Sequence, residues 1–395
     1  MDVPGGQAGW EPVSLTSAVA AKGRSMREPL LLTPGPLTTS DTVKRAMLRD
    51  WGSRDTAFIA MNAEVRERIA ALAHAEATHV CVPVQGSGTF AVEATIGTLV
   101  PRDGKLLVLV NGAYGTRMVT IARVMGRRVE AIEWGEDQPV DPRTLDRRLG
   151  EDPAITHVAV VQCETTSGIL NPLEAVAEVV ARHGRELLID AMSAFGALPC
   201  DARALPFAAV IASSNKCLEG VPGMGFALVR RDALAASAGN AHSLSLDLHA
   251  QWRGFEANGQ WRFTPPTHVI AAFRQALDEH AAEGGVAGRG ARYAENHRIL
   301  VAGMAEMGFR CLLPAALQAP IIVTFLMPAD PAFVFDRFYD LLRERGFAIY
   351  PGKLTAAPSF RIGCIGRIDG DDIRAAVAAV RACLAELGVA SGAPA

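Results

Sequence analysis

Short apolar runs alternate with segments of helical periodicity along most of the chain. Predicted strands cover residues 80–84, 106–110, 129–132, 157–162 and 186–190, with helices between them, and a further strand covers residues 207–211. Such alternation is typical of parallel strands joined by right-handed crossovers, with helices on both faces of one sheet. The pattern therefore predicts an α/β fold built on a large, mainly parallel sheet. Ligands of such folds gather at the carboxyl ends of the strands.

The rhythm changes after about residue 280. A long helix is followed there by short strands and two further helices, over residues 289–307, 321–325, 333–345, 347–350, 360–363 and 371–387. We expect a large domain over residues 29–280 and a smaller α+β domain over residues 281–395. Packing of residues 29–45 against the small domain is compatible with this division. Residues 1–28 lack sustained periodicity and are expected to form a flexible N-terminal extension.

The composition fits a soluble globular protein with a sizeable core, since 49% of the 395 residues are hydrophobic and 21% are charged. A formal net charge of -3 gives no electrostatic reason to expect a nucleic acid or an anionic membrane as partner. No apolar run is long enough to span a bilayer. The seven cysteines are scattered and never spaced as CxxC, which favours reduced core residues of a cytoplasmic protein. The histidines and cysteines form no metal-binding pattern, so no metal is expected.

Lysine is scarce in this chain, with five lysines against 34 arginines. One of them, Lys216, follows the predicted strand 207–211 by a few residues. Schiff-base chemistry requires an amine that can lose its proton, and arginine cannot supply one. A lysine at the end of a buried strand therefore indicates a reactive amine. A strand-end lysine that merely reaches solvent is the alternative.

The segment Gly86-Ser87-Gly88-Thr89 lies between a predicted strand and a predicted helix. Backbone amides at a helix N-terminus, with nearby hydroxyls, can hold a phosphate. Gly86, Gly88 and Ala91 also match the dinucleotide pattern GxGxxG/A, but the next strand ends in Asn111, where an acidic ribose ligand is expected. An ordinary tight turn fits the segment as well.

Asp190 closes the apolar strand 186–190. A carboxylate there can keep a pyridine nitrogen protonated, whereas a helix N-cap is the simpler interpretation of Asp190 taken alone. Together, the phosphate cradle at Ser87, the carboxylate of Asp190 and the amine of Lys216 are the three groups that pyridoxal 5'-phosphate requires, and each falls at a strand end. Arg361, in the short apolar strand 360–363, can clamp a carboxylate with two parallel hydrogen bonds or form a structural ion pair.

These segments resemble the class V group of fold-type-I pyridoxal-phosphate aminotransferases, and within it the branch that acts on 2-aminoethylphosphonate and pyruvate. The resemblance extends from about residue 30 to residue 388. It rests on residues 32–40, 85–88, 111–115, 164–166, 190–193, 215–217, 243–248, 261–264, 350–353 and 360–363. Of these, residues 243–248 and 261–264 are the ones that point to the phosphonate branch.

The resemblance implies a role for each matching position. Lys216 would form the Schiff base and carry the proton, and Asp190 would pair with the pyridine nitrogen. Ser87, Gly88 and Thr89 would hold the cofactor phosphate, and Thr264 from the second subunit of a homodimer would reach the same phosphate. Tyr114 would stack on the cofactor ring, and Thr165 would lie near its phenolic oxygen. Arg361 would bind the carboxylate of pyruvate and alanine. We hypothesise that Arg361 also binds the phosphonate, helped by Arg54 or by backbone amides near Gly35.

The implied activity is a cytoplasmic transaminase that moves the amino group of 2-aminoethylphosphonate to pyruvate, giving phosphonoacetaldehyde and L-alanine. One alternative is the same chemistry on another donor, as in alanine–glyoxylate or serine–pyruvate aminotransferases. A second is a protein of this fold that binds the cofactor without catalysis. A nicotinamide dehydrogenase is disfavoured by Asn111.

Overall fold

The structure is a computed structural model, and it describes residues 28–241, 243–350 and 355–395. The expected N-terminal extension lies outside these residues, apart from Glu28. None of the helices in these ranges combines the length and the apolar content needed to cross a membrane.

From β2 to β8 the long strands alternate with helices as the sequence predicted, whereas β8, β9 and β10 follow one another without a helix between them. The strands are β1 Leu30–Leu31, β2 His79–Gln85, β3 Lys105–Val110, β4 Arg128–Glu133, β5 Ile155–Val161, β6 Cys163–Glu164, β7 Ile169–Leu170, β8 Glu186–Asp190, β9 Ala209–Ser213, β10 Met224–Arg230, β11 Ile322–Leu326, β12 Phe347–Ala348 and β13 Ser359–Gly363. The α-helices are α1 Asp41–Arg45, α2 Thr56–Leu72, α3 Gly88–Leu99, α4 Ala113–Val124, α5 Pro142–Glu151, α6 Leu173–Arg182, α7 Arg231–Ala236, α8 Leu248–Asn258, α9 Thr267–Ala282, α10 Gly285–Ala305, α11 Phe335–Glu344 and α12 Gly370–Leu387.

A seven-stranded sheet with the order β2-β10-β9-β8-β5-β3-β4 forms the centre of the molecule. The pairs from β9 through β8, β5 and β3 to β4 are parallel, as expected. We did not predict β10, which runs antiparallel to both β2 and β9. Since β2 is thereby parallel to β9 in direction, its carboxyl end lies on the same edge of the sheet as those of the parallel strands.

Helices cover both faces of this sheet, because its central strands are apolar on both sides. On β3, Leu107 and Leu109 belong to one buried cluster, with residues of α2, α6 and α9. Leu106 and Val108 belong to the opposite cluster, with residues of α3 and α4. With both faces covered, the loops at the strand ends are where side chains of different strands can meet around a ligand.

The strand that precedes Lys216 lies two residues later than predicted. Hydrogen bonding to β8 and β10 sets its limits, and Ser213, its last residue, pairs with Gly225. The polar Ser213 is therefore inside the sheet and 2% exposed. Lys216 then follows within one short turn.

The C-terminal region has its own core, in which β11 pairs antiparallel with β13 and α10, α11 and α12 pack nearby. The first strand of the chain also belongs here, since β1 pairs in parallel with β12. Residues 30–32 thus contact the region that we expected to form the small domain. The division at residue 280, near the end of α9, stays a prediction.

Candidate functional site

A cavity of about 310 Å³ opens at the carboxyl edge of the sheet. Six of the residues singled out in the sequence line it, namely Ser87, Gly88, Thr89, Tyr114, Asp190 and Lys216. They lie at or just after the carboxyl ends of β2, β3, β8 and β9, which are far apart in the chain. The direction of the strands therefore brings the predicted groups into one cavity.

Lys216 is held against the first loop of the chain. Its Nζ donates hydrogen bonds to the carbonyl oxygens of Pro34, at 2.7 Å, and of Gly35, at 3.3 Å. Gly35 has φ +116°, and a Cβ there would lie 2.5 Å from Lys216 Cδ, so only glycine fits at this position. Burial lowers the pKa of Lys216 to about 8, because removal from water disfavours the charged amine. The hydrogen bonds of the half-buried Lys216 to the first loop favour the reactive amine over a strand-end lysine that merely reaches solvent.

Asp190 is 4% exposed and forms a wall of the same cavity. Its Oδ1 accepts a hydrogen bond from the backbone of Met192, at 2.9 Å. The residues that follow form turns and not a helix, so the N-cap interpretation is wrong. Burial raises the pKa of Asp190 to about 6, and the buried carboxylate of Glu164 adds to this shift. A cationic partner would stabilise the charged form of this carboxylate.

Ser87, Gly88 and Thr89 form the start of α3. Ser87 occupies the N-cap position, but its side chain makes no capping hydrogen bond. A Cβ at Gly88 would lie 2.3 Å from Met192 Sδ, so a side chain there would collide with the wall of the cavity. Free amide groups and hydroxyls at a helix N-terminus suit an anion.

Among the other residues that line the cavity, Arg117 and Ser213 are polar residues to which we had assigned no role. Arg117 lies over the Tyr114 ring at 4.8 Å and donates a hydrogen bond to Thr89 Oγ1, at 3.3 Å. The spacing of Tyr114 and Arg117 on one helix turn was the available signal, since residues three apart share a face. Ser213 Oγ is buried and has no hydrogen-bond partner among the described residues.

Arg361 and Thr165 are joined beside the cavity. Arg361 is 5% exposed, and its Nη1 donates to the carbonyl oxygen of Thr165, at 2.7 Å. The Arg361 Nε is buried and lacks a partner among the described residues, and the guanidinium lies 5.4 Å from the centre of the Tyr350 ring. Arg361 makes no ion pair with any residue in the described part of the chain. Its partner is the backbone of Thr165, so the structure does not support a structural ion pair.

Glu164 organises the loop between these groups. Its carboxylate accepts hydrogen bonds from the backbone of Tyr114 and Gly115, at 3.1 and 3.3 Å, and from Thr166. A carboxylate at the start of α4 is favoured by the helix dipole. Glu164 therefore fixes Tyr114 next to the cavity.

Thr264 and Arg54 lie outside this cavity. Thr264 lines a second, mostly apolar cavity of about 440 Å³, together with Phe90, Trp261 and Phe263. Arg54 is exposed on the surface. Asn111 does not support the dinucleotide alternative as a ribose ligand, because its side-chain amide donates hydrogen bonds to Gln138 and Asn171 in a buried network.

The groups around the first cavity fit pyridoxal 5'-phosphate. An amine of lowered pKa, a buried carboxylate and the start of a helix lie around one space, and glycines at 35 and 88 keep it open. Ser213, whose buried hydroxyl has no hydrogen-bond partner among the described residues, is also part of the cavity lining. The aldehyde, the ring nitrogen and the phosphate of pyridoxal 5'-phosphate each have a matching group in the cavity.

Curated relatives match nearly the whole chain. A relative from Burkholderia lata named 2-aminoethylphosphonate–pyruvate transaminase 2 is 56% identical over 362 residues, which cover 92% of this chain and 96% of the relative. A Pseudomonas putida protein named 2-aminoethylphosphonate–pyruvate transaminase is 57% identical over 361 residues, covering 91% and 98%.

Solved structures share the fold at lower identity. Pyridoxamine–pyruvate aminotransferase from Mesorhizobium loti superposes with a TM-score of 0.84 at 24% identity, covering 93% of this chain and 96% of that one. Alanine–glyoxylate aminotransferase from Nostoc sp. also has a TM-score of 0.84 at 24% identity, covering 92% and 97%. These likenesses confirm the fold-type-I architecture.

The family model described as Aminotransferase class-V matches residues 41–385. With most of the chain inside this match, and with relatives more than half identical, the protein belongs to the class V aminotransferases, which depend on pyridoxal 5'-phosphate.

Proposed function

We propose that this enzyme transfers the amino group of 2-aminoethylphosphonate to pyruvate, giving phosphonoacetaldehyde and L-alanine in two half-reactions. The observation that carries the proposal is the identity of about 56% to relatives of that name over nearly the full length. The cavity with Lys216 and Asp190 supplies the groups that a transaminase needs. The alternative donors and the non-catalytic alternative have no such support.

Each residue of the cavity would have a separate role toward the cofactor. Pyridoxal 5'-phosphate, when bound, supplies an aldehyde that joins amines covalently and a ring that accepts electron density. Lys216 would bind the aldehyde until the substrate amine takes its place there, and its Nζ, thereby freed, would remove the proton from the carbon that bears the amino group. Asp190 would hold a proton on the ring nitrogen, and the resulting cation would in turn lower the pKa of its carboxylate. Ser87, Gly88 and Thr89 would bind the phosphate.

Three further residues would complete the site. Tyr114, fixed by Glu164, would pack on the ring of the cofactor, and Thr165 would lie near its phenolic oxygen. Arg361 would bind the anionic end of each substrate in turn. The unpartnered Nε of Arg361 supports this role, because a buried donor without a partner has a large gain from meeting an anion.

We further propose a homodimer in which Thr264 reaches the cofactor phosphate of the other subunit. Within one chain, Thr264 lines the second cavity and not the one with Lys216. Phe90 and Phe263 beside it are 49% and 47% exposed in the single chain. Large exposed apolar side chains of this kind are typical of surfaces that a partner covers. A cytoplasmic location is part of the proposal too, supported by seven cysteines that all lie in the described ranges without a disulfide.

The first prediction concerns colour. The purified protein should be yellow, and its visible absorbance should fall when 2-aminoethylphosphonate is added and return with pyruvate. Ethylamine, which has the amine without the phosphonate, serves as the control donor. Lys216→Ala should show neither change. Bleaching by L-serine or L-alanine but not by 2-aminoethylphosphonate would favour the alternative donors.

The second prediction concerns the protonation of Lys216. In protein freed of cofactor, acylation of this amine should reach half its maximum near pH 8, because burial disfavours the charged form and so frees the amine at lower pH. Lys105 is the internal control, since its hydrogen bonds to Asp152 and Glu130 raise its pKa above 10.5. Peptide mass spectrometry measures both. Equal pH profiles for the two lysines would contradict the prediction.

The third prediction concerns Arg361. Arg361→Ala should raise the KM for 2-aminoethylphosphonate and the KM for pyruvate, each by about 10- to 100-fold, because charge-assisted hydrogen bonds contribute about 1.5–3 kcal/mol. Arg343→Ala, which removes an exposed arginine of α11, should change neither by more than about twofold. A rise for pyruvate alone would refute the shared site.

The fourth prediction concerns the dimer. The protein should have twice the mass of one chain in solution, and Phe263→Asp should reduce that mass and weaken cofactor binding, because a buried charge disfavours the interface. Val334→Asp alters an exposed apolar residue of the C-terminal region and should leave both properties unchanged. A monomeric wild-type protein with full activity would refute the role of Thr264.

A further inference from the structure

Glu219, three residues after Lys216, has an unusual backbone and an unusual environment. Its φ is +55°, a left-handed conformation that residues other than glycine seldom adopt. It is nevertheless 2% exposed, although glutamate is rarely buried. Its backbone N–H donates to the carbonyl oxygen of Lys216, at 2.8 Å, and closes the turn that carries the amine.

The carboxylate of Glu219 belongs to a buried and half-buried group of polar side chains that we call the Glu219 cluster: Glu219, Glu283, Arg289, Arg292 and Tyr293. One oxygen of Glu219 accepts from Arg292 Nη2, at 2.7 Å, and from the Tyr293 hydroxyl, at 2.6 Å. The same oxygen lies 3.4 Å from Arg289. Both arginines also bind Glu283, at 2.6 Å each. Two negative and two positive side chains therefore balance, with Glu219 and Arg289 buried and Glu283 and Arg292 half-buried.

The Glu219 cluster links two loops. One is the turn after Lys216 at the cofactor cavity, and the other follows the strand that carries Arg361. Arg289 Nη1 donates to the carbonyl oxygen of Cys217, at 2.6 Å, in the turn after Lys216. Arg292 Nη1 donates to the carbonyl oxygens of Gly366 and Ile368, at 2.6 and 2.7 Å, just beyond the strand that carries Arg361. The arginines and Tyr293 all lie on α10, so one helix holds both loops.

We propose that Glu219 is a positioning residue that fixes the Lys216 amine relative to the substrate-binding Arg361. A buried ion cluster adds little stability compared with apolar packing of similar volume, and a left-handed glutamate is itself unfavourable. The hydrogen bonds instead define where the turn at Lys216 lies against α10. The inference rests on the proposed function, because it takes Lys216 as the group that moves the proton.

The test compares Glu219→Gln with Glu283→Gln. Each variant removes one negative charge from the same two arginines, but only Glu219 belongs to the turn at Lys216. Glu219→Gln should lower kcat for 2-aminoethylphosphonate at least about tenfold with KM within about threefold, because a displaced amine slows proton transfer and leaves binding intact. Glu283→Gln should keep kcat within about twofold at a similar loss of thermal stability.

Two further measurements separate positioning from stability. With substrate deuterated at the carbon bearing the amino group, the isotope effect on kcat should rise in Glu219→Gln alone. The visible circular dichroism of the bound cofactor, which reports its orientation without catalysis, should also change in this variant alone. If Glu219→Gln does not fold, Tyr293→Phe removes one hydrogen bond to the carboxylate and should lower kcat about threefold or more.

The outcomes are distinct. Equal losses of kcat in Glu219→Gln and Glu283→Gln, with an unchanged isotope effect and an unchanged dichroism spectrum, would overturn the positioning role while the wild-type activity stands. An unchanged kcat in Tyr293→Phe would overturn it where Glu219→Gln cannot be obtained. A wild-type protein without cofactor on Lys216 would overturn the proposed function itself.

Discussion

The withdrawal of one amine from water is the constraint on which the rest of this site depends. Lys216 lies against two backbone carbonyls and in a cavity that also contains the carboxylate of Asp190. Water would stabilise the charged amine, whereas burial lowers its pKa to about 8 and so gives it a reactive form near neutral pH. Every neighbouring element either closes the cavity or keeps it open.

The mixed sheet explains how residues so far apart in the chain come together. Parallel strands deliver Asp190 and the turn of Lys216 to one edge, and the antiparallel β10 brings β2 to the same edge from the far side. Ser87 therefore meets the other two although it belongs to a strand outside the parallel set. Helices on both faces supply the apolar cover that keeps these strand ends in place.

Much of this was predictable from local pattern. Apolar runs located the strands, and Ser87, Asp190 and Lys216 were recognisable because each polar residue follows such a run. β10 was missed because its glycine-rich approach, residues 220–225, indicates a loop and strand direction is not a local property. Arg117 and Ser213 were missed since their importance depends on which side chains face them across the cavity.

Two further limits were of a different kind. The left-handed backbone of Glu219 is held by arginines about 70 residues further along, so no nearby pattern indicates it. Thr264 lies in a second cavity within one chain, so its role at the cofactor depends on the proposed dimer, which only the resemblance to a family indicated. Residue patterns predict what one chain folds into more readily than what two chains share.

The pairing of β1 with β12 has a consequence for synthesis on the ribosome. The carbonyls of residues 34 and 35 that receive the Lys216 amine follow a strand whose neighbour is Phe347–Ala348. Nascent chains that have already made the whole central sheet still lack this neighbour. The loop that receives the Lys216 amine therefore gains its strand partner only after the whole central sheet has been synthesised.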